Sequence, residues 1–193
     1  MVWNIDAVFA VHPDCKSHTC ACLMLGSGSV LSISTKQKIN TKSSTEAELV
    51  GVDDAMTFVM WMKHFFESQV KMINQTSKLK PLGKDVTIEQ DNTSAIELEK
   101  NGWLSSTKRT KHIDVRYFYV TDRLKNKDIT RIIYKPTADM QSDFLTKPLQ
   151  GKAFHAHRMT LMGLDGINDY KMYEKYKDSK VTNSHDDNTL HSQ

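Results

Sequence analysis

The chain is expected to fold as an α/β protein in which a five-stranded mixed sheet is flanked by helices. Three features of the sequence carry that expectation. The N-terminal stretch reads as three β-rich segments separated by turn residues, a long amphipathic helical pattern follows it, and two short apolar segments later in the chain read as further strands, each ahead of a helical stretch. The order is β-β-β-α-β-α-α-β-α, which stacks helices on the faces of a mixed sheet.

Residues 2–11 (VWNIDAVFAV) form the first expected strand, with Ile5, Ala7, Phe9 and Val11 on one face and Asn4, Asp6, Val8 and Ala10 on the other. Residues 12–17, with Pro13 and Asp14, read as a turn. Residues 19–25 and 29–36 are the second and third strands, and the turn over 26–28 joins them, so the three strands make an antiparallel meander. A helix is expected over 45–69. It places Leu49, Val52, Met56, Val59 and Phe66 at steps of three, four or seven, with Ala55, Phe58, Met62 and Phe65 widening the apolar stripe.

Residues 71–84 are polar, contain Pro81 and Gly83, and read as an exposed loop. A short buried strand over 86–89 leads to Gln90, Asp91 and Asn92, where Asn92 or Thr93 can cap a helix running through Ile96 and Leu98 to Gly102. A basic loop over 105–112 precedes a helix through Val115, Phe118, Tyr119 and Leu124. Residues 128–134 are the fifth strand, Pro136 breaks it, and residues 140–149 open the last helix of the core.

At 193 residues there is room for one domain with a real core, expected over 1–163, and a polar tail over 164–193 whose composition predicts disorder. A net charge of +3 is too small to mark the whole chain as a binder of polyanions, so local charge matters more. Cys15, Cys20 and Cys22 are an odd number crowded into one stretch, which is no disulfide framework and points to a reducing compartment. The N-terminus carries no basic region followed by an apolar run, and no segment is apolar enough to span a bilayer. A soluble, intracellular protein with no membrane partner is the expectation.

Four acids fall where this order of elements would gather them. They are Asp6 in the middle of the first strand, Glu48 in the first turn of the long helix, Asp91 at the end of the fourth strand and Asp143 near the start of the last helix. Gathered carboxylates suit Mg²⁺ or Mn²⁺, hard ions that prefer oxygen ligands. Two such ions about 4 Å apart can activate a water and stabilise the leaving oxygen of a phosphodiester without any nucleophilic side chain.

The segments DAVFAVH (6–12), KQKINTKSSTEAELV (36–50), QDNTSAI (90–96), KRTKHIDVRYF (108–118) and MQSDFLTKPLQG (140–151) resemble the ribonuclease H domain at the C-terminal end of Ty1/copia-type retrotransposon Pol polyproteins. The resemblance runs from Val2 to about Gly163 and rests on five motifs in the right order. It implies a ribonuclease H-like fold that hydrolyses the RNA strand of an RNA–DNA hybrid with two divalent ions, leaving a 3′-hydroxyl and a 5′-phosphate. By motif the four acids carry over as Asp6, Glu48, Asp91 and Asp143, with Asp6 bridging both ions, Glu48 and Asp91 on one, and Asp143 on the other.

The chain departs from the family pattern at several points. Cys20 replaces a usual Gly, Ser142 a usual Ala and Phe118 a frequent His, and the segment before Asp143 lacks the loop His of cellular ribonucleases H. Family members also carry capsid, protease, integrase and reverse transcriptase regions upstream, so a free-standing fragment, once partnered by the reverse transcriptase, is expected.

Each site residue also has a plainer reading. Glu48 fits an S/T-x-x-E capping box begun by Thr45, Asp91 a turn, and Asp143 a first-turn acid favoured by the helix dipole. Asp6 resists such a reading, because an acid inside a β-run is costly unless paired or exposed. The spacing of Cys15, His18, Cys20 and Cys22 hints at zinc but matches no paired-ligand knuckle, and buried or half-buried free thiols are the better expectation. Lys108, Arg109, Lys111 and His112 are either a solvated loop or phosphate contacts, and Ser44, Asn92 and Ser94 are candidates for the minor groove with its 2′-hydroxyls. Met56, Met60, Trp61 and Met62 read as core or as a surface covered by the reverse transcriptase. Against the nuclease stands the alternative of a catalytically silent remnant that at most binds nucleic acid or a partner protein.

Overall fold

The alternating pattern of the N-terminal stretch is realised as three strands, β1 (Val2–Val8), β2 (His18–Leu25) and β3 (Gly28–Lys36). The helix α1 (Ser44–Ile73) follows, then β4 (Thr87–Gln90), α2 (Thr93–Asn101), α3 (Asp114–Lys125) and β5 (Arg131–Tyr134). A 3₁₀ turn (Thr137–Asp139) leads to the one-turn helix α4 (Asp143–Thr146) and to α5 (Gly151–Leu161). The computed structural model describes residues 1–73, 85–102 and 114–164. Lys108, Arg109, Lys111, His112 and the tail over 165–193 lie outside the described residues, as does most of the loop expected over 71–84.

The strands form one sheet in the order β3-β2-β1-β4-β5. β1 pairs antiparallel with β2 and parallel with β4, β2 pairs antiparallel with β3, and β4 pairs parallel with β5. The five-stranded mixed sheet and the expected order of elements are therefore both present. Parallel pairing needs a crossover, and α1 supplies it between β3 and β4, as α2 and α3 do between β4 and β5.

The pleat sends Trp3 and Ile5 to one face, where they meet Val52, Met56 and Val59 of α1, Ile96 of α2 and Val120 of α3 in the main core. The other face carries Asn4 and Asp6, both buried, and takes α4 and α5. α1 lies close over β1 because Gly51 has no side chain there: a Cβ would stand 3.3 Å from that of Ala7.

Several boundaries differ from the expected ones. β1 stops at Val8 rather than at residue 11, since Ala10 takes a left-handed φ of 51° and turns the chain, leaving Phe9 and Val11 exposed. α1 runs on to Ile73. Phe58 and Phe65, placed in its apolar stripe by spacing, are instead exposed beside Trp61, whose ring stacks on Phe65 at 5.6 Å. The last helix is split, because Lys147 precedes Pro148 and adopts an extended backbone (φ −120°, ψ 140°) that ends α4 after one turn.

Ile88 is completely buried in β4, between β1 and β5. Ile88→Ala is expected to lower the unfolding free energy by about 2–5 kcal/mol, through lost transfer energy and the cavity left behind. In the same urea titration Val30→Ala, at a position 54% exposed, is expected to change it by less than about 0.5 kcal/mol.

Candidate metal centre

The register of the central strands decides which acids meet. β4 pairs with β1 only as far as Asn4 opposite Glu89, so Asp6 and Asp91, each two residues further on, stand level where the two strands part. Beyond that point β1 has no β4 partner, and the amide of Ala7 donates instead to Glu48 Oε1 at 3.3 Å. Asp6, Glu48 and Asp91 each bring one carboxylate oxygen within 4.8 Å of the others.

Glu48 is free to do this because another acid caps α1. The Glu46 amide donates to Ser43 Oγ at 3.2 Å, and the Lys42 amide donates to Glu46 Oε2 at 2.6 Å. The helix start is thus capped by Ser43 and Glu46, each two residues ahead of the Thr45 and Glu48 that the sequence offered for a capping box, with Glu46 reaching back to the Lys42 amide. Glu48 Oε2 is buried and has no hydrogen-bond partner among the described residues. A buried carboxylate oxygen left in this way calls for a proton or a cation.

Asp143, the fourth expected acid, is buried nearby but is not in the group of three. Its carboxylate is engaged by the Lys147 ammonium one helical turn on. The Thr146 hydroxyl donates to Asp6 Oδ2 at 2.8 Å and also approaches the backbone carbonyl of Asp143 at 3.1 Å. On the other side, the Thr137 hydroxyl donates to Asp91 Oδ2 at 2.7 Å. The Lys135 ammonium donates to Asn4 Oδ1, Glu89 Oε2 and Gln141 Oε1 at 3.0, 2.8 and 2.8 Å, fastening the segment ahead of Asp143 to β1 and β4.

Burial pushes the Asp6 carboxyl up from its ordinary range, and the negative charges of Asp91 and Asp143 add to this against the Thr146 hydrogen bond. Glu48 is raised well above the ordinary range by burial first and then by Asp6 and Asp91. For Lys147 burial opposes the charge, but Asp143, Asp6 and Asp91 outweigh it and the ammonium is stabilised. Wholly buried Glu99 of α2 is likewise pushed well up by burial, and it acts in turn on Glu48. Such an arrangement disfavours three bare carboxylates and favours whatever neutralises them.

The remaining expected residues divide. Ser44 and Ser94 are exposed in the first turns of α1 and α2, and Asn92 caps α2, its Oδ1 accepting from the Ala95 amide at 3.1 Å. Cys20 and Cys22 are buried free thiols that donate to Ser34 and Ser32, and burial raises them to about 12 and about 11, far from the thiolate that zinc takes. Cys15 is exposed, contrary to the buried or half-buried setting expected of it. Thr146, Lys147, Lys135 and Glu99 did not emerge from the sequence. The spacing of Thr146 and Lys147 three and four residues after Asp143 was the available signal, since such residues share a helix face.

No protein-family model matches the chain. Over 153 residues, 77% of its length, it is 29% identical to the Retrovirus-related Pol polyprotein from transposon TNT 1-94 of Nicotiana tabacum. The resemblance read from the motifs is borne out by this similarity, and the chain spans about a tenth of the length of that relative. Among solved structures it is similar to RNase H1 from Halobacterium salinarum, with TM-score 0.44 and 12% identity over 73% of this chain and 89% of that one. It is also similar to the N-terminal RNase H domain of a Mycobacterium tuberculosis protein solved as a maltose-binding protein fusion, with TM-score 0.45 and 13% identity over 82% of this chain and 95% of that one. Among the described residues no helix is long and apolar enough to cross a membrane.

Asp6 and Glu48 stand above their ordinary values of 3.8 and 4.5, so between those values and the raised ones the folded state holds more protons than the unfolded chain. Their contribution to stability is full below the ordinary values and is lost as pH rises through the raised ones. Asp128, held down by hydrogen bonds and charge from Lys63 and Arg123, acts oppositely and only at lower pH. With divalent ions chelated, the thermal midpoint is expected to fall as pH rises above about 4.5. Glu48→Gln is expected to flatten that fall and to raise the midpoint at neutral pH, as followed by calorimetry.

Proposed function

We propose that the chain is a ribonuclease H-type endonuclease that hydrolyses the RNA strand of an RNA–DNA hybrid with two divalent ions, Mg²⁺ or Mn²⁺. The observation that carries this reading is the meeting of Asp6, Glu48 and Asp91 within 4.8 Å around a buried Glu48 oxygen that has no partner. All donors offered are carboxylate oxygens, which is the chemistry of hard divalent ions and not of zinc or copper. The similarity to a Pol polyprotein supports the same reading, and a reverse transcriptase as upstream neighbour belongs to the reading through the motif resemblance.

Asp6, Glu48 and Asp91 would hold one ion, and Asp6 with Asp143 the other. Bound there, the ions would supply Lewis acidity for an attacking water and for the leaving 3′-oxygen. The chain's own side chains set the geometry. The Ala7 amide fixes one oxygen of Glu48, the Thr146 hydroxyl orients Asp6, and the Thr137 hydroxyl orients Asp91. Exposed Ser44 and Ser94, on the first turns of the two helices that carry Glu48 and follow Asp91, would be the contacts to the hybrid in this reading, where 2′-hydroxyls mark the RNA strand.

The test is cleavage of a labelled RNA–DNA hybrid in Mg²⁺ and in Mn²⁺. Metal-dependent cutting of the RNA strand alone is expected, and Asp6→Asn or Asp91→Asn should slow it by more than about a hundredfold, since several kcal/mol of transition-state stabilisation is at stake. Binding of the hybrid should persist in both variants. Unchanged cutting by either one would overturn the assignment, and hybrid binding without turnover in either metal would mark the chain as a silent remnant.

A further inference from the structure

Asp143 differs from the other three acids in already having a cation. Its carboxylate is held by Lys147, whose side chain is 45% exposed while that of Asp143 is 11% exposed. The ammonium is close enough to Asp6 and Asp91 for both charges to act on it. The three remaining acids, by contrast, are gathered within 4.8 Å with a buried oxygen unpartnered, as a first divalent ion would need them.

We propose that Lys147 is a tethered counter-ion for the Asp143 half of the acid cluster. The first divalent ion enters through Asp6, Glu48 and Asp91 with Lys147 in place, and the second enters only when the ammonium leaves Asp143 for solvent. The proposal rests on the reading of the cluster as a metal centre.

Three features of the chain support it. A lysine head is a single charge on a flexible stem, so a divalent ion at the same carboxylate competes with it directly. Its exposure gives the head a solvated place to go. The backbone at Lys147 is already extended ahead of Pro148, so the side chain can swing without unwinding a helix. Thr146, one residue earlier, keeps its hydrogen bond to Asp6 and holds the segment in place meanwhile. Residue 147 therefore acts mainly on the affinity for the second ion, and only weakly, through its longer-range field at Asp6 and Asp91, on that for the first. Lys135 is no such device, because its ammonium is fixed by acceptors on three separate segments.

The test reads binding, not hydrolysis. The full chain is titrated with Mn²⁺, followed by calorimetry and by the electron paramagnetic resonance of the free ion, with thermal unfolding as the check on folding. One tighter and one weaker site are expected. Lys147→Met, or Lys147→Gln should the first fail to fold, is expected to tighten the weaker site about tenfold and leave the tighter within about twofold. Lys147→Arg should keep the native isotherm, and Asp143→Asn should remove only the weaker site. A weaker site unchanged or weakened in the neutral variants overturns the proposal while leaving the metal centre standing. Native-like binding of both ions by Asp6→Asn, or none by the folded native chain, overturns the metal centre itself and this proposal with it.

Discussion

The hydrogen bond from the Ala7 amide to Glu48 joins the first turns of α1 to the end of β1, and the candidate site depends on it. It exists because β4 leaves β1 early, so that the Ala7 amide finds no strand on the β4 side and would otherwise be a buried orphan. The rest of α1 is set by the same approach. Gly51 lets the helix lie against Ala7 and Thr19, and from there Val52, Met56 and Val59 continue over Trp3, Ile5 and Leu23 as the main core. The cap made by Ser43 and Glu46 completes the arrangement by satisfying the helix start with a different acid. Apart from accepting the Ala7 amide through Oε1, Glu48 then has no task in the fold, and among the described residues its Oε2 has no partner.

That leaves a group that costs the fold. Asp6, Glu48 and wholly buried Glu99 are all pushed upward by burial, and none of the three has an ion-pair partner among the described residues. By contrast, Lys63, Arg123 and Asp128 form a largely buried ion-pair network, where charges meet opposite charges. The molecule therefore pairs its charges where it can. An exception concentrated at the parting of β1 and β4 has the character of a functional site, where local stability is given up for binding.

Much of this was legible in the sequence. Asp6 stood out because a carboxylate within a β-run needs a reason, and Asp91 and Glu48 followed once the order of elements put a strand end and a helix start beside it. The exposed aromatic side chains show where periodicity stops informing. Phe58 and Phe65 fit the helical stripe as well as Met62 does, yet α1 has only one face on the sheet, and its width is fixed by neighbouring helices that no local pattern describes. The contacts of Lys135 with Asn4 and of Thr146 with Asp6 span 131 and 140 residues of sequence, and only the folded sheet brings them together. The split of the last helix was within reach, because Pro148 was in plain view and its effect on Lys147 is local.

The two halves of the acid cluster rest on supports of unequal strength. Asp6 is in the central strand, paired on one side over its whole length, Glu48 is in a thirty-residue helix with the main core beneath it, and Asp91 follows directly on a buried strand. Asp143 sits instead on a helix of four residues. That turn is fastened by side-chain hydrogen bonds from Thr146, by the Ser34 hydroxyl on the Leu145 carbonyl at 3.3 Å and by the packing of Phe144 on Phe154 of α5. An isolated turn has almost no helical stability of its own, so its position is set by those contacts together with the Lys135 bond to Gln141 just ahead of it, and it can open without unfolding the sheet. Three acids are thus held rigidly by the fold, and the fourth is held by an element that can yield. A fourth acid on a yielding element can change partners, and that is the freedom the proposed two-ion site would use in taking ions in and releasing them.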